Sequence, residues 1–246
     1  MPSSSWTATR YRRRDTPSYP HQPVGARRKQ WQPDVYLAAR ALVGALPARR
    51  VVDLGCGNGA KLIELAALCP GCPTIGIDRG ANLARARATA PALDWREHDL
   101  QDDAALPLAP DELAGSLVIN ADVIEHLPDP HKLLAKLRAA HDHAELILLS
   151  TPERHLTRGL RDPGPPGNPA HIQEWTVREL GALLRAAGLA THSLGLIRSH
   201  DQSDDVATIF VAIARTAERL AEVDRLLIDL DVPPRRTVLA GLLGRR

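Results

Sequence analysis

A doubly wound α/β domain built on a mostly parallel sheet is what this sequence predicts, and three observations carry the prediction. Short apolar runs alternate with stretches of helical periodicity from about residue 32 to residue 214. That is the pattern of parallel strands joined by helical crossovers. The first run, Val51-Val52-Asp53-Leu54, stops in Gly55-Cys56-Gly57-Asn58-Gly59, and a helix follows. A strand that stops this way lets backbone approach a ligand, and the helix behind it offers free N–H groups. Acids then recur past the ends of later runs, at Asp78, Asp99 and Asp122, where an open α/β sheet builds its ligand crevice.

The elements follow in order. In residues 32–46, Val35, Leu37, Ala38, Leu42 and Val43 recur at helical spacing until Pro47 stops the helix. Residues 50–54 are the first strand and 59–68 the helix behind the glycine loop. Strand 74–77 ends at Asp78, residues 81–88 are helical, and a short strand, 93–97, precedes His98-Asp99-Leu100. Strand 116–120 runs into Asn120-Ala121-Asp122-Val123-Ile124-Glu125-His126-Leu127-Pro128, then helix 130–141 and strand 144–150. Residues 154–169 hold Pro, Gly and Arg without periodicity, which predicts a functional loop, here a lid over 153–172. Helix 176–187 is capped by Thr176 and ended by Gly188. Strands 189–197 and 207–213 and a helix over 215–230 complete a domain spanning 31–230, with Pro233-Pro234 breaking the last helix.

Composition narrows the class. A 246-residue chain with 44% apolar residues supplies a full core. No apolar run approaches the roughly 18 residues of a membrane span. Arg12-Arg13-Arg14 is followed by polar residues where a secretory signal needs an apolar stretch, so a cytoplasmic location is expected. The net charge of +2 is uneven: Arg10, Arg12, Arg13, Arg14, Arg27, Arg28 and Lys29 face only Asp15, so residues 1–30 carry +6 and the remainder about −4. The body therefore has no general nucleic-acid character. Residues 1–30 read as a disordered basic arm able to touch RNA or an anionic substrate, and 231–246 as a basic tail. Cys69-Pro70-Gly71-Cys72 lies between a helix and a strand without further zinc ligands, which makes it a tight turn with incidental thiols.

The glycine loop alone admits two ligands. Gly55-x-Gly57-x-x-Ala60 passes for a dinucleotide fingerprint, with Asp78 placed to hold a ribose diol. Asp53 directly before the loop would repel a pyrophosphate but tolerates the cationic amino and sulfonium groups of S-adenosylmethionine. Asp99 after the third strand can accept a hydrogen bond from an adenine amino group. The polar cluster after strand four belongs at the ligand crevice. Together these segments resemble the motifs of class I S-adenosylmethionine-dependent methyltransferases, over roughly residues 33–214. Asp53 to Gly59 resembles the family's first motif, Asp78 its ribose acid and Asp99 its adenine-side acid. Asp122 to Pro128 resembles the post-strand-four motif of the branch containing ubiquinone-biosynthesis O-methyltransferases. The resemblance implies a Rossmann-like, seven-stranded sheet whose last strand is antiparallel. It also implies a cofactor site drawn from Asp53, Gly55, Cys56, Gly57, Asn58, Gly59, Asp78, Arg79, Asp99, Leu100, Asn120 and Ala121.

At the reacting end the protein aligns an acceptor and, for a hydroxyl, removes its proton. His126 and His171 are the candidate bases because imidazole titrates near neutrality, and Glu125 could orient His126 or the acceptor. Asp122, Glu125, His126 and His171 also resemble the magnesium-binding set of small-RNA 2′-O-methyltransferases, with Asp122 in place of the first glutamate. Glu-His after strand four is common in the wider family without metal, so magnesium is the less favoured expectation. Arg154, Arg158 and Arg161 on the lid would suit phosphate or carboxylate, or simply a solvated basic loop. Trp31 and Tyr36 could close over the cofactor or anchor the first helix, and Trp175 reads as a hydrophobic anchor. The function expected is methylation, on oxygen, of a small-molecule, glycan-like or secondary-metabolite acceptor. The alternatives are a metal-assisted RNA ribose methyltransferase using the basic arm, a catalytically silent S-adenosylmethionine-binding accessory protein, and a nicotinamide dehydrogenase, which Asp53 and Asp122 disfavour.

Overall fold

The computed structural model describes residues 12–17, 32–201 and 204–229. In chain order the elements are α1 (Pro33–Ala45), β1 (Arg50–Leu54), α2 (Ala60–Leu68), β2 (Thr74–Asp78), α3 (Gly80–Thr89), β3 (Asp94–Glu97), α4 (Pro110–Leu113) and β4 (Ser116–Ala121). A 3-10 turn follows at Ile124–His126, then α5 (Pro130–His141), β5 (Leu146–Pro152), α6 (Arg154–Arg158), α7 (Val177–Ala186), β6 (His192–Asp201), β7 (Asp204–Ile213) and α8 (Ala217–Asp229). The strands form one seven-stranded sheet in the order β3-β2-β1-β4-β5-β7-β6. β1 to β5 are parallel, and β7 inserts antiparallel between β5 and β6. This is the doubly wound, Rossmann-like sheet with an antiparallel last strand that the sequence led us to expect. Winding reverses between the neighbours β1 and β4, which puts the ligand crevice at their carboxyl ends.

Alternation along the strands explains why helices cover both faces. Val51, Leu117, Leu146 and Leu148 pack on one side with residues of α1, α2, α3 and α8. Val52, Val118, Ile147 and Leu149 pack on the other with α5 and α7. Each such side chain taken from water stabilises the fold by about 1.5–3 kcal/mol. At the α7 start, Thr176 and Glu179 form the expected capping box, and Trp175 is buried in the second cluster.

Three local differences from expectation have physical reasons. α4 is a single turn, too short to show periodicity, and Glu112 Oε2 accepts from Ala109 N–H to begin it. α6 is likewise one short turn inside the lid, started by Glu153 Oε2 accepting from Leu156 N–H at 2.7 Å. β6 and β7 run on in pairing to Asp201↔Asp204, because a hairpin's backbone bonds need no apolar side chains at its tip. Cys69 to Cys72 forms a turn closed by Cys72 N–H donating to Cys69 O at 2.9 Å, and all three cysteines are free thiols. Among the described residues no helix is long and apolar enough to cross a membrane. Most of the basic arm, Trp31 and the tail lie outside the described residues.

Candidate active site

A cleft of about 670 Å³ opens at the carboxyl ends of β1, β2 and β4. Gly55, Gly57, Asp78, Arg79, Asp99, Leu100 and Asp122 line it. Gly55 and Gly57 turn the chain with φ of +83° and +59°. A Cβ on Gly55 would stand 2.6 Å from the Val123 side chain, whereas one on Gly57 would meet nothing within 4 Å. The first glycine is thus required by the protein's own packing, and the second leaves backbone open to the cleft. Asp78 ties the loop to β2: Oδ2 accepts from Gly57 N–H and Oδ1 from Arg79 N–H, both at 2.7 Å. Burial pushes its pKa up. Asp99 Oδ2 pairs with Arg79 Nη1 at 2.5 Å and Oδ1 accepts from Gln101 N–H at 2.8 Å.

The other expected cofactor residues stand behind this wall. Asp53 is buried and accepts from Tyr36 Oη at 2.7 Å; burial pushes its pKa up to about 7. Cys56 is buried, and burial raises its thiol pKa. Asn58 Oδ1 accepts from Ala60 N–H at 3.1 Å, steadying the start of α2. Gly59 serves packing: a Cβ there would lie 2.5 Å from the Trp95 ring. Asn120 is fully buried and braces β1 through Nδ2 donating to Leu54 O at 2.7 Å, and Ala121 is buried beside it. These six shape the cleft rather than line it. Sequence reasoning quoted His98, Val123, Leu127 and Pro128 inside its motifs without giving them a role and passed over Asn82 and Gln101; all six line the cleft. Each sits within four positions of a motif residue, so the signal was adjacency in loops that all end at one crevice.

At one wall of the cleft the structure gathers Asp122, Glu125, His126 and His171, each with a ligand atom within 4.8 Å of the others. β4 ends at Ala121, Asp122 takes a left-handed φ of 61°, and the 3-10 turn with buried Ile124 follows. The lid supplies the rest. Ile172 and Gln173 N–H groups both donate to Glu125 O, at 2.7 and 3.3 Å, which brings His171 to His126 with ring centroids 4.8 Å apart and planes at 85°. His126 Nδ1 lies 2.9 Å from Ala170 O; a carbonyl only accepts, so Nδ1 carries the proton and Nε2 the lone pair. Burial lowers the His126 pKa, which keeps the ring neutral. His171 Nδ1 donates to Glu174 Oε1 at 2.8 Å, and Nε2 faces Asn168 Nδ2 at 2.9 Å. Glu125 is fully buried, with Oε2 accepting from Thr151 Oγ1 at 3.0 Å. Burial, and then Asp122 beside it, raise its pKa well above the carboxylate range.

The lid arginines are neither solvated nor aimed at a ligand, except for Arg161, which is exposed. Arg154 is buried, donating to Glu174 O at 2.9 Å and Glu179 Oε1 at 2.7 Å. Arg158 donates to Gly164 O at 2.6 Å and pairs with Asp162. Both fold the lid instead of offering a phosphate site. Tyr36 anchors α1 against β1 through Asp53, and Lys61 stands over its ring at 4.7 Å.

These residues fit two groups that bind from solution. An acid-lined cleft with an open glycine backbone suits a cationic, ribose-bearing cofactor. For a divalent cation, the buried Glu125 carboxyl is set against a second carboxylate, Asp122. It shares a corner with that carboxylate and two imidazoles, a donor set that a cation would satisfy.

The fold and the cleft define a class, the α/β proteins that bind a nucleoside cofactor at the switch between β1 and β4. A family profile described as a methyltransferase domain matches residues 26–194. The chain belongs to that methyltransferase-domain family, whose cofactor is S-adenosylmethionine. It is 37% identical over 143 residues to a probable S-adenosylmethionine-dependent methyltransferase of Mycolicibacterium smegmatis, covering 57% of this chain and 51% of that protein. It is 34% identical over 149 residues to a trans-aconitate 2-methyltransferase of Deinococcus radiodurans, covering 49% and 54%. The chain thus spans about half the length of these curated relatives. Among solved structures it shares its fold with the methyltransferase domain of bacterial CtHen1-C, with a TM-score of 0.54 and 20% identity over 75% of this chain and 98% of that one. It shares it also with the O-methyltransferase NcsB1 of neocarzinostatin biosynthesis, with a TM-score of 0.53 and 18% identity over 72% and 52%.

Proposed function

We propose that this protein transfers the methyl group of S-adenosylmethionine to a hydroxyl oxygen of a small-molecule, glycan-like or secondary-metabolite acceptor. The observation that carries the reading is the convergence of Asp122, Glu125, His126 and His171 within 4.8 Å, with Asp122 and His126 on the cofactor cleft itself. The cofactor, when bound, supplies a methyl carbon activated by its sulfonium. Gly57 gives it backbone, Asp78 its ribose acceptors, and Asp99 with Leu100 the adenine end. His126 Nε2 takes the acceptor's proton; the Nδ1 bond to Ala170 O holds the tautomer whose lone pair lies on Nε2. His171, oriented by Glu174, packs edge-on against His126 and helps fix that ring. Proton removal of this kind contributes about 10²–10⁴-fold to rate.

A second reading has its own support in the buried Glu125 carboxyl set against a second carboxylate, Asp122. Asp122, Glu125, His126 and His171 would hold a divalent cation such as magnesium, which would polarise acceptor hydroxyls. An RNA ribose is then the acceptor to set beside small molecules, with the arm's arginines as its phosphate partners. A silent accessory protein is disfavoured because it would have no use for two oriented imidazoles at the cleft.

Labelled methyl transfer from S-adenosylmethionine into pools of phenols, sugars, carboxylic acids and RNA tests these readings together. Label on a hydroxyl acceptor, lost in His126→Ala, supports the proposal. Label confined to carboxylic acids would overturn it. Binding of cofactor with no pool labelled would favour the accessory protein. Activity lost in EDTA and restored by magnesium supports the metal, and EDTA-insensitive transfer removes it.

A further inference from the structure

The segment ahead of the sheet holds none of the expected catalytic residues, yet it grips the four-group cluster from two sides. Among the described residues only two non-glycine positions have left-handed backbones, Gln32 at φ 50° and Asp122 at φ 61°. They are 90 positions apart and bonded to each other, Gln32 Nε2 donating to Asp122 Oδ1 at 2.8 Å. The same amide's Oε1 accepts from Ser150 Oγ at the end of β5. Gln32 is 2% exposed. A left-handed conformation costs an ordinary residue such as Gln32 about 1–2 kcal/mol and an Asp less, and its presence at both ends of one side-chain bond marks a geometry that the surrounding structure enforces.

On the lid side, Arg14 N–H donates to Ile172 O at 2.8 Å. Its guanidinium donates to Pro166 O at 2.8 Å and to His171 O at 3.3 Å. Arg12 N–H reaches Pro163 O at 2.9 Å, and Pro17 stands on the wall of the cofactor cleft. Residues 12–17 therefore run along the lid and hold the backbone on both sides of His171.

We infer that Gln32 and Arg14 are positioning residues for methyl transfer, Gln32 fixing the Asp122 carboxylate and Arg14 fixing the loop that carries His171. The inference rests on the cluster being the acceptor-side machinery. Without the amide of Gln32, Asp122 is left to its side-chain bond with Glu125 and the nearby charges of Lys61 and His126. Without the guanidinium of Arg14, the His171 loop keeps its bonds to Glu125 O but loses its outer brace.

The test uses the full chain saturated with S-adenosylhomocysteine, comparing Gln32→Leu, Arg14→Ala and Arg14→Lys by imidazole nitrogen NMR, with a thermal melt to verify folding. Gln32→Leu should shift the His126 ring signals. Arg14→Ala should split or broaden those of His171, and Arg14→Lys should restore part of the single set. Transfer to an acceptor found in the pools should fall roughly 10- to 100-fold in kcat for Gln32→Leu and Arg14→Ala, because misplacement by about 1 Å costs that much, with the KM for cofactor little changed. Ring signals superimposable on the parent's in both variants overturn the inference, whatever the cluster does in catalysis. Full-rate transfer by Asp122→Asn and His171→Ala, with the ring shifts still present, overturns the reading of the cluster instead.

Discussion

Replacing Asp78 by asparagine isolates the acid that the cofactor assignment leans on most. The carboxylate accepts from Gly57 N–H and Arg79 N–H, each at 2.7 Å, and lines the cleft. Asparagine has nearly the same shape, but its amide nitrogen donates. One of the two backbone donors would then face another donor, and one ribose hydroxyl would lose its acceptor. A hydrogen bond to a charged group is worth about 1.5–3 kcal/mol, which corresponds to a cofactor Kd raised about 10- to 150-fold. Because the Gly57 bond exists without ligand, part of the loss should also appear as a lower melting temperature. Isothermal titration with S-adenosylmethionine and S-adenosylhomocysteine is the assay, and the two ligands should weaken by the same factor because they share the ribose. Affinities for both within about three-fold of the parent, under about 0.7 kcal/mol, would refute the role given to Asp78.

Three further outcomes follow from contacts described above. Gly59→Ala should lower stability by more than about 2 kcal/mol in chemical denaturation, since it combines left-handed strain with overpacking against Trp95; a neutral substitution would show that Trp95 yields. Tyr36→Phe removes the donor to Asp53, whose pKa of about 7 sets the window. Above it Asp53 is ionised and the loss is largest, and below it protonation relieves the carboxylate, so denaturation midpoints should show a larger cost at pH 8 than at pH 6. Burial lowers the His126 pKa, so a base at Nε2 stays unprotonated to lower pH than an ordinary histidine. The transfer rate should hold level from pH 8 to about 6.5 and fall only beneath it, and a rate already falling above pH 7 would exclude His126 as that base.

The glycine loop and the strand ends were readable because they obey local rules. Alternating apolar residues force Val51 and Val52 to opposite faces, and a run of alternating glycines after an acid has few structural uses. The four-group cluster was readable in part, since Asp122, Glu125 and His126 are neighbours in the chain. His171 joined them only as a likeness, because its approach depends on Ile172 and Gln173 donating to Glu125 O, and no periodicity encodes a bond across a lid. Arg154 and Arg158 mislead on composition alone: a guanidinium can grip a ligand or its own loop with equal chemistry, and only Glu174 O, Glu179 and Gly164 O tell which. Gln32 was invisible for the same reason. Its importance lies in a backbone angle and a partner 90 positions away, and the amide itself is commonplace.

On the proposed placement of the cofactor, the carboxylates around the cleft would hold its arriving and spent forms unequally. Asp78, Asp99 and Asp122 face the cavity, with Arg79 paired to Asp99 on its wall. A sulfonium entering here reduces the repulsion among these acids. Once the methyl group leaves, the sulfur is a neutral thioether, and on the proposed mechanism the acceptor's proton carries the positive charge to His126 on the same wall. Loss of that proton to solvent, not the transfer itself, would then restore the repulsion among the acids and weaken the hold on the by-product.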